Sequence, residues 1–430
     1  MEGRVSAGRV PGALIRTAHV QPADLHGLGR LALDATLGVT NLVEALHHSI
    51  ARLAPPLGKP GAGRTRGLTG FVYSTVRGIT GFVGAGVDAG LARLVPVLGA
   101  KAPTAERDAM VSALNGVLGD HLAATGNPLA IAMRFRRDGK PLVLERAALA
   151  AALPGATPRI AVMIHGLCMN DRQWRREGHD HGALLAREAG CTPVYLHYNS
   201  GSHISTNGRA LAEMLQALVD GWPVRVRSIV LVGHSMGGLV ARSALHYAGE
   251  AGLAWPAKLE AMFFLGTPHH GAPLERGGNG VNTILDASPY TAPFARLARI
   301  RSAGITDLRH GAVLDEAWVG RDRFARKPEP AGGPPIPAGV RAYALAATTA
   351  PRVPAPGRRA PGDRLVPLAS ALGQHRSPDR DLGIPPDRQW IGTNLGHLGL
   401  LSSREAGARM VRWLTAKGDR AARKRVARRV

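Results

Sequence analysis

Short apolar runs alternate with amphipathic runs from about residue 155 onward. Apolar residues at helical spacing predict helices at 180–190, 206–220 and 237–250. The apolar runs that we predict as strands are 159–164, 192–198, 228–233, 261–266, 340–348 and 388–393. Short apolar strands separated by helices are typical of a parallel sheet that is covered on both faces. The pattern therefore predicts an α/β fold with a mostly parallel central sheet and helices on both faces.

Two further elements precede this alternation. A helical stretch is predicted near 105–123, and residues 130–146 contain two strand-like runs joined by Asp138-Gly139. An Asp-Gly pair between two such runs is a strong signal for a two-residue hairpin turn. We therefore expect an antiparallel hairpin before the parallel part of the sheet.

The N-terminal region has a different pattern. Apolar residues recur at helical spacing over 24–54 and again over 68–98, with a Pro- and Gly-rich break at 55–67. Each glycine inside the second run costs a helix about 1 kcal/mol relative to alanine, so this helix must pack closely on a partner. We predict a helical hairpin within an N-terminal extension, 1–104, that packs against the main domain. Docking of this extension on a membrane surface is the alternative.

Composition and charge narrow the function classes. The chain has 430 residues, 45% of them hydrophobic, and a formal net charge of +23. Part of this charge lies in the tail 417–430 and the rest is scattered arginine, with no interleaved aromatic residues. We therefore expect no nucleic-acid partner. The basic tail or the N-terminal helices could instead contact anionic lipid headgroups at a membrane surface.

The location is predicted from what the sequence lacks. Residues 1–20 contain no apolar core of a signal peptide, and no run of 18 uncharged apolar residues occurs in the chain. The two cysteines, Cys168 and Cys191, argue against a disulfide scaffold, and we expect reduced thiols. These features predict a cytoplasmic protein, with peripheral membrane attachment as the alternative.

Ser235 is the first candidate for chemistry. It lies in a Gly-x-Ser-x-Gly pattern between the predicted strand 228–233 and the predicted helix 237–250. The pattern alone is weak in a glycine-rich chain, but a serine in a sharp strand-to-helix turn is typical of an exposed nucleophile. We predict that Ser235 is a catalytic nucleophile.

A serine that attacks an acyl group needs backbone donors for the oxyanion. The amide of Met236, the residue after the nucleophile, is one candidate. The turn after strand 159–164 supplies a second, the amide of Leu167, with Gly166 allowing the turn. We prefer Leu167 to Cys168. An ordinary tight turn, in which His165 bonds to the loop, is the alternative.

The order nucleophile, acid, base then selects the other two groups. His375 and His397 are the histidines beyond residue 310, and His397 alone follows a predicted strand. Asp363 is the first acid after strand 340–348, since the rivals Asp307 and Asp315 precede that strand. The sequence thus predicts His397 as base and Asp363 as its orienting carboxylate. A turn aspartate at 363 and a structural histidine at 397 are the alternatives.

Four motifs carry a family resemblance: GHSMGG (233–238), FFLGTPHHGAPLE (263–275), GDRLVP (362–367) and GHLGLLSS (396–403). Over residues 155–415 the chain resembles the α/β-hydrolase lipases, especially bacterial lipases and the GPI inositol-deacylase-like and lecithin–cholesterol acyltransferase-like enzymes. The resemblance implies an α/β-hydrolase fold, hydrolysis of a carboxylic ester, often of a lipid, and the same triad. Calcium-binding bacterial lipases often have an aspartate two positions after the histidine, where this chain has Gly399, so no metal and no cofactor are expected.

The remaining site residues are predicted from their places near these motifs. We expect the substrate pocket to be lined by residues from the oxyanion loop and from the two strand ends, namely His165, Gly166, Trp174, His234 and His269. Adjacent histidines at 269 and 270 rarely converge on one ion, so we do not predict a metal there. An insertion at about 271–335 is predicted to form a cap. The predicted domains are 1–104, a hydrolase domain at 105–415 and the tail 416–430.

The sequence therefore predicts a serine hydrolase that cleaves carboxylic esters, such as lipid or other acyl esters, through a Ser-His-Asp triad and an acyl-enzyme. Two alternatives stay open. One is an acyltransferase that uses the same triad, and the other is a membrane- or lipid-inclusion-binding protein with a vestigial site.

Overall fold

The computed structural model describes residues 21, 23–37, 74, 77, 104–272, 302–320, 333–353 and 361–416. Two compact units divide the chain. One consists of Met1–Arg107 and Asn127–Leu129, and the other of Asp108–Gly126 and Ala130–Val430.

The larger unit is built on an eight-stranded sheet with the order β2-β1-β4-β3-β5-β6-β7-β8. Strands β3 to β8 run parallel to one another, whereas β1 pairs antiparallel with both β2 and β4. The strands are β1 (Arg134–Arg137), β2 (Lys140–Pro141), β3 (Arg159–Ile164), β4 (Thr192–His197), β5 (Ser228–His234), β6 (Leu259–Leu265), β7 (Arg341–Ala347) and β8 (Gln389–Gly392).

Helices connect most of these strands. They are α1 (Ala105–Ala124), α2 (Arg146–Ala152), α3 (His181–Ala189), α4 (Ile204–Gly221), α5 (Met236–Glu250), α6 (Ala303–His310), α7 (Leu368–Ala371) and α8 (Arg404–Thr415). Single turns of 3-10 helix lie at Asp171–Trp174, Trp255–Lys258, Asp315–Ala317, Pro386–Arg388 and His397–Leu401. The predicted fold class, a mostly parallel sheet with helices, is confirmed.

The central strands are buried on both faces. Every residue of β4, β5 and β6 is buried. On one face, alternate residues of the strands form a single core with residues of α3 and α8, such as Val232, Phe263, Leu185 and Met410. Successive strand residues point to opposite faces, and α4 and α5 pack together in the other helical layer. Continuous apolar strands therefore need cover from both sides, as the sequence pattern predicted.

The predicted hairpin is present between β1 and β2. Asp138 and Gly139 both have positive φ, 52° and 76°, and Arg137 pairs with Lys140 across the turn. Two positive φ values in a two-residue loop are the signature of a type I′ turn, which matches the twist of the strands. The Asp-Gly prediction is confirmed.

In the smaller unit, residues 23–37 are helical, and Ser74 and Arg77 are also helical. The guanidinium of Arg107 donates two hydrogen bonds to the carboxylate of Asp24. Nε lies 2.8 Å from Oδ2, and Nη2 lies 2.6 Å from Oδ1. The rest of the predicted helices 24–54 and 68–98, and so their pairing in a hairpin, lies outside the described residues.

The described part of the predicted cap, 271–335, consists of residues 271–272, 302–320 and 333–335. Its helix α6 is capped at the N-terminus by Ser302, whose hydroxyl accepts a hydrogen bond from the Ile305 amide. The basic tail 417–430 lies outside the described residues. In the part of the chain that the structure describes, none of the helices has the length and apolar character needed to cross a membrane.

Candidate active site

Ser235 lies in a strained turn between β5 and α5. Its backbone has φ 52° and ψ −123°, a combination that L-residues rarely adopt. The amide of Ser235 donates to the carbonyl of Leu265 at 2.8 Å, so the turn is fixed to the end of β6. This geometry lifts the serine side chain out of the strand at the carboxyl edge of the sheet, as the sequence predicted.

The glycines around Ser235 make this turn possible. A Cβ at Gly233 would collide with the backbone of Gly238, and a Cβ at Gly237 would collide with the carbonyl of Ile164. Because the obstructing atoms are backbone atoms, a side chain could not be accommodated by a rotamer change. The Gly-x-Ser-x-Gly spacing is therefore a packing requirement of the turn.

Asp363 and His397 form a buried hydrogen-bonded pair. His397 Nδ1 lies 2.7 Å from Asp363 Oδ2, and the His397 amide donates to the Asp363 carbonyl at 3.2 Å. The second carboxylate oxygen, Oδ1, accepts from the amides of Leu365 at 3.0 Å and Val366 at 2.8 Å. Because the carboxylate accepts the Nδ1 proton, the Nε2 atom of His397 is left as a proton acceptor.

The imidazole of His397 and the serine flank the same dipeptide, Leu265-Gly266. The Ser235 amide bonds to Leu265, and a Cβ built on Gly266 would lie 3.1 Å from His397 Cε1. Among the described residues no hydrogen bond to the Ser235 hydroxyl is recorded. Catalytic hydrogen bonds are often long in free enzymes and shorten when substrate binds. The three predicted triad residues thus lie at one edge of the sheet, with the Asp–His bond formed.

The loop after β3 runs beside the serine. A Cβ on Gly166 would lie 3.1 Å from Ser235 Cβ, so this loop passes directly over the nucleophile. Cys168 has φ 60°, and its amide donates to the hydroxyl of Ser200 at 3.0 Å. The structure records no acceptor for the Leu167 amide among the described residues. The Cys168 amide is thus already used, which agrees with the preference for Leu167.

Met236 is the first residue of α5, and it is fully buried. The first amides of a helix have no acceptor within the helix, and the helix dipole favours negative charge at this end. The Met236 amide therefore suits the second oxyanion donor.

His165 is packed beneath the loop. It is fully buried, its Nδ1–H donates to the Gly166 carbonyl at 2.8 Å, and its ring stacks on Tyr198 with centroids 4.3 Å apart. Burial lowers the pKa of His165 to about 4, so the ring is neutral at pH 7. Its contacts are those of a residue that holds the loop, and its predicted pocket-lining role stays a prediction.

His234 precedes the nucleophile and contacts the base. Its Nε2–H donates to the His397 carbonyl at 3.3 Å, and the two rings are 4.8 Å apart. Burial, and then the neighbouring His397, hold the pKa of His234 well below its usual range. Trp174 packs edge-on against His234 and belongs to the apolar core. The pocket role of both residues also stays a prediction.

His269 is buried in the segment that follows β6. Its ring meets Phe264 edge-on at 4.6 Å, and its Nδ1 lies 3.4 Å from a guanidinium nitrogen of Arg242. Burial, and then Arg242, hold the pKa of His269 well below its usual range. It packs against α5, and nothing in its contacts separates a pocket residue from a core residue.

His181 is a residue that the sequence analysis missed. Its Nε2–H donates to the Leu400 carbonyl at 2.8 Å, inside the 3-10 turn that begins at His397. His179 Nε2 lies 2.9 Å from His181 Nδ1 and supplies the second hydrogen bond of that ring. His181 and His234 therefore hold the loop that carries His397 at two carbonyls. In the sequence, His181 is marked only by its position at the start of a predicted helix, and that position does not predict a hydrogen bond to the Leu400 carbonyl.

Both cysteines are free thiols, as predicted. Burial raises the pKa of the Cys168 thiol to about 12 and that of Cys191 to about 11, so neither is a nucleophile at pH 7. Within the described ranges, no group of three or more His, Cys, Asp or Glu side chains could hold a metal ion.

Part of the chain matches a known protein family. Residues 157–330 match the family model described as the PGAP1-like alpha/beta domain. That segment contains β3 to β6, the oxyanion loop and the serine turn. The match covers 174 of the 430 residues, so it shows the likeness of this segment to that α/β domain. The predicted resemblance is thus confirmed for residues 157–330, which contain GHSMGG and FFLGTPHHGAPLE, whereas GDRLVP and GHLGLLSS lie beyond the match.

Solved structures that are similar to this chain include lipases and esterases. The mature lipase BlEst2 of Bacillus licheniformis is 20% identical, with a TM-score of 0.38, over 60% of this chain and 92% of its own. The esterase PF2001 of Pyrococcus furiosus is 14% identical, with a TM-score of 0.35, over 60% of this chain and 82% of its own. The phospholipase PlaB of Legionella pneumophila is 16% identical, with a TM-score of 0.31, over 50% of this chain and 44% of its own. A search of curated proteins finds no match.

Proposed function

We propose that this protein is a serine hydrolase of carboxylic esters, with acyl esters of lipids as the expected substrate class. Ser235 acts as nucleophile, His397 as general base and Asp363 as the group that orients His397. The observation that carries the proposal is the buried Asp363–His397 bond beside a serine with φ 52° in a strand-to-helix turn.

The reaction begins with attack of Ser235 Oγ on the ester carbonyl carbon. His397 Nε2 takes the hydroxyl proton as the C–O bond forms, and Asp363 stabilises the imidazolium. The amides of Leu167 and Met236 donate to the oxyanion, and a pair of such donors lowers the barrier by several kcal/mol, about 3 for each donor.

The tetrahedral intermediate then collapses to an acyl-enzyme. His397 returns its proton to the leaving alkoxide, and the alcohol departs. A water molecule attacks the acyl carbon after giving a proton to His397, and the carboxylic acid is released as Ser235 regains its proton. Each proton that His397 takes is given back within the same half-reaction, so the enzyme ends unchanged.

The test is Ser235→Ala. Turnover of 4-nitrophenyl esters should fall on the order of 10⁵-fold or more, because the residual rate comes from the oxyanion donors alone. A fluorophosphonate probe should label the wild type and leave Ser235→Ala unlabelled, since labelling requires an activated serine.

Ser377→Ala is the matched control, because this serine lies outside the site and its hydroxyl has no recorded partner among the described residues. It should be labelled like the wild type. Unchanged labelling of Ser235→Ala would remove this serine from the mechanism. Product analysis with glycerol present separates hydrolysis from acyl transfer, since transfer would give an acylated glycerol in place of the free acid.

A further inference from the structure

A groove of about 590 Å³ opens between segments that adjoin the candidate active site in sequence. It lies between the segment that follows β6, the end of α6 and the segment that contains α7. Two arginines and three histidines are among its ten lining residues, and none of the ten is an acid: His270, Gly271, Arg309, His310, Pro367, Ala369, Ser370, Gln374, His375 and Arg376.

Hydrogen bonds fix the walls of this groove to one another. The His270 amide donates to the hydroxyl of Ser370 at 3.1 Å, and that hydroxyl donates to the Gly271 carbonyl at 3.0 Å. The Ala272 amide donates to the Leu308 carbonyl at 3.2 Å, which attaches the end of α6. The groove is therefore held by bonds between three segments that are distant in sequence.

Polar groups of the groove face a positive environment. His270 Nε2 is buried and has no hydrogen-bond partner in the described part of the chain, and its ring lies 4.9 Å from that of His375. The ring of His270 hydrogen-bonds the Gly373 backbone, so the N–H of the neutral ring is used there and Nε2 can only accept. A buried polar atom without a partner is unfavourable and calls for an explanation. Arg376 is exposed and has no recorded ion pair among the described residues.

The pKa values of the groove histidines reflect these surroundings. Burial, and then the nearby His375 and Arg242, lower the pKa of His270. Burial, and then Arg309, lower the pKa of His310. The rings of His270 and His310 are therefore neutral at pH 7, and the positive charge comes from arginine, with Arg376 exposed to a ligand. His375 Nδ1 accepts from the Ser377 amide at 3.0 Å, so the N–H of its neutral ring lies at Nε2. A ligand with several negatively charged oxygens would complement the guanidinium of Arg376 and this N–H group.

We propose that this groove binds a phosphate group. The Arg376 guanidinium and the His375 N–H group lie on neighbouring residues of a wall without acids, and together they match a tetrahedral ion better than a planar carboxylate, which presents two oxygens. The volume exceeds that of a phosphate ion and leaves room for the alcohol attached to it. The ligand class is a phosphate ester, or inorganic phosphate itself.

The position of the groove gives this binding a consequence for ester hydrolysis. Its wall at His270 begins four residues after Gly266, which contacts His397, and its wall at Pro367 begins four residues after Asp363. If the proposed ester hydrolysis is correct, a phosphate held here would favour acyl esters that carry a phosphate over neutral esters.

Binding is measured first, in a protein that performs no chemistry. Inorganic phosphate is titrated into Ser235→Ala at constant ionic strength, with the histidine ring protons followed by NMR. Saturable shifts of a few histidine signals are expected. Adding Arg376→Gln should weaken binding about tenfold, since a charge-assisted hydrogen bond is lost. Arg412→Gln, on the exposed face of α8, is the matched control and should bind phosphate like the parent.

Absence of saturation, or equal weakening by the two arginine substitutions, would overturn the phosphate site. Glycerol 3-phosphate and vesicles of phosphatidylcholine with or without phosphatidylglycerol then distinguish a soluble phosphate from a lipid headgroup. Selective binding of either source supports the proposal, because the group recognised is the same.

The role in hydrolysis is tested separately in the wild-type background. We compare kcat/KM for an acyl glycerol phosphate with kcat/KM for a neutral 4-nitrophenyl ester. The ratio of the first to the second should fall about tenfold in Arg376→Gln, because the hydrogen bond from Arg376 to the phosphate is lost. An unchanged ratio would overturn this role. Phosphate binding without fluorophosphonate labelling would refute the proposed hydrolase alone, and labelling without phosphate binding would refute the groove alone.

Discussion

A single carboxylate determines which nitrogen of His397 can accept a proton. Asp363 uses one oxygen to accept two backbone amides and the other to accept the Nδ1 proton of His397. The amides fix the orientation of the carboxylate, and the carboxylate fixes the tautomer of the ring. The acid is thus held in place by its own loop, and it needs no other side chain to orient it.

The substitution Asp363→Asn tests this arrangement. Asparagine can keep its oxygen on the two amides, so its NH₂ group would face Nδ1 and donate to it. The proton of His397 would then move to Nε2, which could no longer accept the serine proton. We expect kcat for ester hydrolysis to fall about 10⁴-fold, as for the wrong tautomer in serine proteases, with a nearly unchanged thermal unfolding midpoint.

Asp387→Asn, at an exposed turn of 3-10 helix, is the matched control and should retain full activity. A loss of less than tenfold in Asp363→Asn would contradict the assigned role of the carboxylate. A large drop in the unfolding midpoint would instead show that the amides bind the asparagine poorly.

The sequence predicts where a residue lies along the chain better than it predicts where its side chain points. Ser235, Asp363 and His397 could be selected because each is the first suitable side chain after a strand, and parallel strands end at the same edge. Trp174 and His269 were selected by closeness in sequence to the loops, which does not determine the direction of a side chain. Both are packed in the interior.

At the scale of elements, the predicted parallel strands and the helices between them agree with the structure to within two residues, whereas β1 and β2 are four to five residues shorter than the runs predicted in 130–146. The reason is local consistency: apolar runs of six or seven residues end at glycine or polar positions, and the helices between them have clear amphipathic spacing. In the N-terminal extension the glycines weaken the helical signal, and most of that region lies outside the described residues.

The amino ends of three strands are joined by ion pairs at Glu260. Its carboxylate binds Arg159 of β3 at 2.7 Å and Arg341 of β7 at 2.7 Å, and Glu260 itself lies in β6. This cluster is at the edge of the sheet opposite the candidate triad. Its contribution should therefore be to stability and not to chemistry.

Glu260→Gln is expected to lower the free energy of unfolding by about 2 kcal/mol, because two partly buried guanidinium groups lose their charged partner and solvent screens part of the effect. Urea unfolding followed by circular dichroism measures this. The kcat per folded molecule should stay unchanged.

Glu213→Gln, on the exposed face of α4, is the control and should change the free energy of unfolding by less than about 0.5 kcal/mol. Equal stability of the two variants would show that the Glu260 cluster contributes nothing. A lower kcat in Glu260→Gln would show that its effect reaches the other edge of the sheet.

At the scale of the whole molecule, several buried neutral histidines link stability to pH. Burial lowers the pKa of His165 and of His181 to about 4, from 6.5 in an unfolded chain. Below pH 6.5 the unfolded chain takes up protons that the folded protein does not. Stability is therefore fully present above pH 6.5 and is lost as the pH falls toward 4.

Each of these two histidines should remove roughly 3 kcal/mol from the free energy of unfolding between pH 6.5 and pH 4. Urea midpoints measured at intervals from pH 8 to pH 4 should be flat down to about pH 7 and then decrease. His181→Gln keeps a donor for the Leu400 carbonyl but cannot titrate, so its decrease should be shallower. A curve as steep as that of the wild type would exclude His181 as a contributor.

The phosphate groove shows what the sequence alone does not reveal at this scale. Its basic residues come from 270, 309–310 and 375–376, and no spacing rule connects those positions. They meet because β6 and β7 are neighbours in the sheet and the chain between them returns to the same edge. The position of such a site depends on how the loops between strands pack, which the sequence does not give. The predicted triad could be selected from the positions of strand ends alone.

The strand order has a consequence for the growing polypeptide. Ser235 is synthesised 162 residues before His397 (397 minus 235), and β7 and β8 must join the sheet after β6 before the two can meet. At typical translation rates this interval lasts roughly 8 to 30 s. Under the proposed mechanism, the nascent chain carries Ser235 during that time without the base that activates it. The ribosome-bound protein is therefore inert toward esters until β8, the last strand, and then His397 have emerged.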